Sequence, residues 1–182
     1  LITSYHEAGH AIVSYHLDTQ DPVHQISIIP RGMAAGYTMY IPTEEKGHIS
    51  KRYQLEEICS MLGGRAAEEI TQSDICTGAS NDMQRATEIA RKMVTKYGMS
   101  DKLGPVTYGT DNNEVFFGRD FSSNPNKKKK IAAAIDEEIN TIISTQYSKA
   151  VEILKGDISK LHLIAKELYT KEKISGEEFS KL

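Results

Sequence analysis

Two histidines four residues apart constrain this chain more than any other feature: His6 and His10, within Ser4-Tyr5-His6-Glu7-Ala8-Gly9-His10-Ala11-Ile12-Val13-Ser14-Tyr15. On a helix that spacing sends both imidazoles from one face, one turn apart, with Glu7 beside them. Ala8 and Gly9 are small enough to let a second element approach that helix. Ala11, Ile12, Val13 and Tyr15 give it an apolar side to bury. The competing reading is a coincidental surface helix, because His-Glu-x-x-His is a short pattern.

Two neutral imidazoles on one face suit a zinc ion. A carboxylate one position after the first reaches a water at such a metal without being a ligand itself. The chemistry implied is hydrolysis, with Glu7 accepting a proton from water and delivering it to a leaving amine.

A length of 182 residues suits one domain, or one domain with a helical appendage. A net charge of -3 carries no strong nucleic-acid or membrane-surface footprint. The composition, 39% hydrophobic and 26% charged, is that of a soluble globular protein, and the apolar runs are too short to cross a bilayer. Cys59 in an expected helix and Cys76 in an expected loop have neither metal-type nor disulfide spacing, which favours a reducing compartment. The first ligand candidate stands only five positions after residue 1, so the chain reads as a fragment whose upstream domain is absent.

In order along the chain, a helix is expected over residues 3–17, closed by Asp18-Thr19-Gln20-Asp21-Pro22. Apolar alternation over 23–30 and the β-branched and aromatic run over 36–42 read as strands, so a small sheet is expected beside the first helix. Gly32, Ala34, Ala35 and Gly36 are small enough for another backbone to approach, which would let an extended peptide add to the sheet edge. A plain hairpin turn is the alternative.

Residues 50–71 have helical periodicity despite Gly63-Gly64, a pair that costs about 2 kcal/mol of helix propensity and so implies close packing, expected against the Gly9 side of the first helix. Ala79-Ser80-Asn81-Asp82 reads as a helix start, and an apolar stripe from Met83 to Tyr97 runs up to a stop at Gly98. Residues 102–106 and 112–120 read as loop with short extended pieces, and 122–130 as a polar, mobile tract. Lys127 to Lys130 open a helix as a solvated start and lack the interleaved aromatics of a nucleic-acid site. Long amphipathic helices are expected from 131 to about 156 and from 158 to 169. Ser175-Gly176-Glu177-Glu178 resembles a capping box opening a short terminal helix.

A catalytic zinc site needs a third protein ligand and an open position. His16 is six residues past His10 and points off the ligand face; His24, His48 and His162 sit without special context. A carboxylate is therefore expected, either Asp82 in the first turn of a helix or one of Glu68 and Glu69, and spacing leaves these alternatives open.

Several blocks, spread in order over residues 4–120, carry a family resemblance: His6-Glu7-Ala8-Gly9-His10, Pro30-Arg31-Gly32 with Gly36-Tyr37-Thr38, Leu62-Gly63-Gly64-Arg65-Ala66-Ala67-Glu68-Glu69, Thr77-Gly78-Ala79-Ser80-Asn81-Asp82 and Lys102-Leu103-Gly104-Pro105. Together they closely resemble the protease domain of the FtsH family of ATP-dependent zinc metalloproteases. The resemblance implies a mostly α fold with a small β-sheet, arranged as a zinc-metalloprotease core over 1–120 and a helical C-terminal region of the same domain over 121–182. It implies one Zn²⁺ per chain held by His6, His10 and Asp82, with Glu7 as catalytic base and Glu68 supporting a ligand imidazole. The strand around Gly36, Tyr37 and Thr38 would be the substrate-binding edge for unfolded polypeptides.

The family also implies a hexameric ring, an AAA ATPase module ahead of the protease and a membrane anchor, at the cytoplasmic face of what would be the bacterial inner membrane. No Gly-x-x-x-x-Gly-Lys-Ser/Thr loop occurs in these 182 residues, so ATP dependence would belong to the absent module. Two other classes compete: a noncatalytic helical assembly module with a vestigial metal site, and a zinc amidohydrolase acting on small molecules. Glu7 weighs against the first and the candidate strand edge against the second.

Overall fold

The first helix and the long helix near residue 60 form an antiparallel pair that everything else is laid against. In the computed structural model, which describes residues 1–43, 47–109 and 125–182, α1 spans Ile2–Tyr15 and α2 spans Lys51–Gln72. They cross where a Cβ added to Gly9 would lie 2.4 Å from the Gly63 carbonyl oxygen and 2.6 Å from the Ala67 Cβ. Only two glycines let the backbones meet this closely. The expected contact between Gly9 and the mid-helix glycines is thus the actual crossing point. Helix α2 begins at Ser50, whose hydroxyl accepts the Tyr53 N–H at 3.0 Å, and ends with Ser73 in the left-handed region at φ 56°.

Between the two helices, β1 (Val23–Ser27) and β2 (Tyr37–Tyr40) pair antiparallel, with Ile26 opposite Thr38 and Ser27 opposite Tyr37. Val23 pairs with Tyr40 and Gln25 with Met39, so His24 is the extra residue of a bulge. The first strand ends at Ser27, short of its apolar run, and the Ile28 N–H carries the pairing one step further to the Glu172 carbonyl.

Helix α3 (Ser80–Thr95) follows a single 3₁₀ turn, Thr77–Ala79, and carries Asp82 in its first turn. It stops short of Tyr97, which is largely exposed rather than part of the stripe, and Gly98 at φ +60° turns the chain. Helix α4 (Pro125–Gly156) reaches back further than expected: residues 125–130 are helical, with proline at the first position where its missing N–H costs nothing. The expectations for residues 112–120 and 122–124 lie outside the described residues.

Helix α5 (Ile158–Lys171) leads into β3 (Lys173–Ser175) and α6 (Gly176–Lys181). The capping box is present, with the Ser175 hydroxyl accepting the Glu178 N–H at 3.2 Å. The third strand was not foreseen: it is three residues long, sits between two helices, and pairs with β1 from the far end of the chain, Ile174 opposite Ile26. The sheet order is β2-β1-β3, all antiparallel.

Two apolar clusters fill the interior. One gathers Ala8, Ile12, Val13, Ile26, Leu161, Ile164, Leu168 and Ile174 between α1, the sheet and α5; the other gathers Ile58, Leu62, Ala90, Met93, Ile135 and Ile139 between α2, α3 and α4. The C-terminal helices therefore share both clusters with the first 100 residues. No helix among the described residues is long and apolar enough to cross a membrane.

Candidate metal centre

Helix α1 places His6 and His10 on one face as their spacing requires, ring centroids 4.7 Å apart. Their Nε2 atoms lie 3.0 Å from each other, and Asp82 Oδ2, carried in by the first turn of α3, lies 3.0 Å from the His6 nitrogen and 3.2 Å from the His10 nitrogen. Three Lewis bases converge on one point from two elements. Ligand bonds of about 2.0–2.1 Å at tetrahedral angles would separate donor atoms by about 3.3 Å, so nitrogen, nitrogen and carboxylate oxygen at this spacing fit zinc in both donor type and geometry. The Glu7 carboxylate sits next to them; its ligand atom and those of His6 and His10 lie within 4.8 Å of one another.

The partners of the distal ring atoms orient the imidazoles. His10 Nδ1 donates to the Ser60 carbonyl at 2.9 Å, which directs Nε2 at the cluster. His6 Nδ1 faces Glu68 Oε2 at 3.6 Å, beyond hydrogen-bond distance; that oxygen is buried and accepts no hydrogen bond among the described residues. Glu69, the other acid of the pair, is exposed and takes the Tyr147 hydroxyl. Of the three open candidates, Asp82 alone touches both imidazoles.

Space for the two rings comes from α2. A Cβ on Gly64 would lie 2.5 Å from His6 Cε1 and 2.7 Å from His10 Nε2. The glycine pair thus serves two purposes, Gly63 for the helix crossing and Gly64 for the imidazoles. Sequence reasoning saw the pair but not this division, and nothing in the sequence singled out the Ser60 carbonyl. The remaining histidines are elsewhere: His16 pairs with Asp157 at 2.5 Å, His162 hydrogen-bonds the Tyr5 hydroxyl at 2.7 Å, and His24 and His48 are exposed.

Burial raises the Glu7 carboxyl above its ordinary range, with Asp82 adding to the shift and the nearby imidazoles and Thr38 opposing it; a more basic carboxylate is a better proton acceptor. Burial pulls His10 down, but Asp82 and Glu7 outweigh it and take the imidazole up to about 9. Burial works against the Asp82 carboxylate too, yet the hydrogen bonds from His10 and His6 hold it well below the usual carboxylate range.

Strand β2 borders the site. The Thr38 hydroxyl donates to the Glu7 carbonyl at 3.2 Å and lies 3.5 Å from its carboxylate Oε1. A Cβ on Gly36 would strike the Ser27 carbonyl at 2.7 Å, so this glycine admits the protein's own β1, while Gly32, at φ +62°, serves the turn. β2 is a terminal strand of the sheet, so its outer edge pairs with no strand among the described residues. Tyr37 packs under the Arg31 guanidinium.

The model of peptidase family M41 matches residues 1–182, the whole chain. The chain belongs to peptidase family M41. This M41 domain is 56% identical over 181 residues to an ATP-dependent zinc metalloprotease FtsH of Caldicellulosiruptor bescii, covering 100% of this chain and 29% of that protein. It is 53% identical, over 100% of this chain and 30% of the relative, to an ATP-dependent zinc metalloprotease FtsH 1 of Thermoanaerobacter. An FtsH 2 of Petrotoga mobilis is 47% identical over 182 residues, with 29% of its length covered. The M41 chain thus spans less than a third of the length of these curated relatives. The resemblance carried by the five sequence blocks, and the mostly helical fold with a small sheet, are both borne out.

Proposed function

We propose that this domain is a zinc-dependent endopeptidase that cleaves unfolded polypeptides, with one zinc per chain held by His6, His10 and Asp82. The observation that carries this reading is the convergence of those three donor atoms at 3.0–3.2 Å beside the buried Glu7 carboxylate. The relatives' names, zinc metalloproteases, support it. When bound, zinc supplies a Lewis acid for the scissile carbonyl and an acidified water as nucleophile.

The chain's own residues do the rest. Glu7, biased by burial toward holding a proton, takes one from the attacking water and returns it to the amine nitrogen as the peptide C–N bond breaks. Ser60 fixes the His10 tautomer through Nδ1, while Glu68 stands 3.6 Å from His6 Nδ1 and supports that imidazole by its charge. The substrate lies extended along the free edge of β2, near Gly36, Tyr37 and Thr38, where main-chain pairing makes binding largely independent of sequence.

The relatives are ATP-dependent and much longer than this chain. We place residues 1–120 as the protease core and 121–182 as its helical C-terminal region. An AAA ATPase module in cis feeds the site, within a homo-hexamer anchored at the cytoplasmic face of a membrane. No nucleic acid is involved.

Replacing the base while keeping the ligands tests the mechanism. Glu7→Gln is expected to retain about one zinc per chain while proteolysis of an unfolded substrate falls by at least about 100-fold. Asp82→Ala is expected to lower zinc content sharply and Glu68→Ala less so, read by atomic absorption. Full activity of Glu7→Gln would sink the mechanism, and the reverse order of zinc loss would transfer the ligand role to Glu68.

A further inference from the structure

Strand β2 meets α1 through two hydroxyls that leave the same face of the strand. Residues two apart share a face, and Thr38 and Tyr40 both turn toward α1, whereas Met39 between them is exposed. Tyr40 is fastened by other residues: the Ser14 hydroxyl donates to it at 3.1 Å, and Ser14 in turn bonds the Ser60 hydroxyl at 2.5 Å. Those three residues tie the strand to α1 and α2 without a hydrogen bond to Glu7.

Thr38 is placed differently. Its single hydroxyl proton is shared between the Glu7 main-chain carbonyl at 3.2 Å and the Glu7 carboxylate Oε1 at 3.5 Å, and no other side-chain donor among the described residues reaches that carboxylate. Glu7 is only 5% exposed, so its carboxylate has little water to satisfy it from behind. A hydroxyl engaged with α1 is also not presented at the outer edge of the strand, where a peptide would pair.

We propose that Thr38 is a positioning residue for Glu7: the strand that borders the cleft also sets the place of the general base, so one element orients both substrate and proton acceptor. The inference rests on the peptidase reading for its kinetic consequence but not for its geometry. It moves Thr38 from contact with substrate to contact with the base. Because Tyr40 also holds the strand, β2 stays docked when the Thr38 hydroxyl is lost, and the loss falls on Glu7, whose main chain and carboxylate that hydroxyl contacts.

Thr38→Val keeps the shape and the strand propensity and removes only the hydroxyl; Thr38→Ser keeps the hydroxyl. In the zinc-loaded full chain, Thr38→Val is expected to keep about one zinc per chain and to lose roughly 10- to 100-fold in kcat, the scale of a misplaced catalytic group. KM should stay within about twofold, and Thr38→Ser should recover most of kcat. A raised KM at unchanged kcat, or a serine variant as poor as the valine, would overturn the proposal. Crystal structures of wild type and Thr38→Val give a readout independent of turnover. A displaced Glu7 carboxylate in the variant is expected, and an unmoved one overturns the inference even if wild type proves inactive, a result that would count instead against the peptidase reading.

Discussion

Helix α2 meets its neighbours with two unlike faces. Toward α1 it offers Ser60, Gly63, Gly64 and Ala67, so that contact is made by backbone and small groups. Toward α3 and α4 it offers Ile58 and Leu62, buried, with Leu55 and Met61 packed alongside. The first face sets positions: the two Nε2 atoms stand 3.0 Å apart against the backbone of α2, where the helices cross at glycine. The second buries most of the large aliphatic area of α2, and side chains that hop between rotamers and repack tolerate change. A site that needs ligand atoms placed to a few tenths of an ångström is built on the face with the least freedom to adjust.

The sharpest way to break this contrast is one methyl group added to the α1-facing side of α2. Gly64→Ala adds a Cβ 2.5 Å from His6 Cε1 and 2.7 Å from His10 Nε2. Neither ring can yield without leaving the site, so zinc content should fall to near zero and proteolysis with it, at unchanged helical circular dichroism. Gly78→Ala, where a Cβ meets nothing within 4 Å, is the control and should behave as wild type. Normal zinc binding by Gly64→Ala would end the claim that the backbone of α2 defines the site.

On the other face, Leu62→Ala removes a side chain only 2% exposed and should cost about 2–5 kcal/mol, read as a lowered urea midpoint. The folded fraction should still hold one zinc. Loss of zinc from folded Leu62→Ala would mean that the two faces are coupled, and the contrast would fail.

That division also explains what the sequence disclosed. His6, Glu7 and His10 were legible because helical periodicity alone brings i and i+4 together. Spacing made Asp82 legible only as a carboxylate at a helix start, and the family resemblance alone singled it out from Glu68 and Glu69, since its 76-residue separation from His6 leaves no periodic trace. The Gly63-Gly64 pair announced itself by its cost to the helix. Which glycine served which neighbour depended on a crossing that no local rule fixes. β3 escaped notice because three residues between two helices carry no alternation long enough to read, and its partner β1 lies some 150 residues away. Residues 125–130, polar by composition, are helical because proline opens a helix whose apolar stripe begins only at Ile131.

The smallest effect expected lies one turn further along the α1-facing side of α2. Glu56, 4% exposed, accepts the Thr19 N–H at 3.0 Å and the Thr19 hydroxyl at 2.7 Å, clamping the chain that leaves α1; Arg52 Nε adds a bond at 3.2 Å. Burial alone would raise this carboxyl, but the Thr19 bonds and then Arg52 hold it below its ordinary value, the exposed Arg52 contributing less because water screens it. A carboxylate with a lowered folded-state pKa adds stability above its unfolded value, about 4.3, and that stability is lost as pH falls through the folded value. Glu56→Gln should therefore cost about 1 kcal/mol at pH 7, and its deficit relative to wild type should shrink steadily below about pH 4.5 as the wild-type carboxylate takes up its proton. Urea titrations of both proteins at several pH values would show this. A deficit that stays flat with pH would mean that Glu56 acts by filling space, making the α1 side of α2 at that turn like the opposite face rather than unlike it.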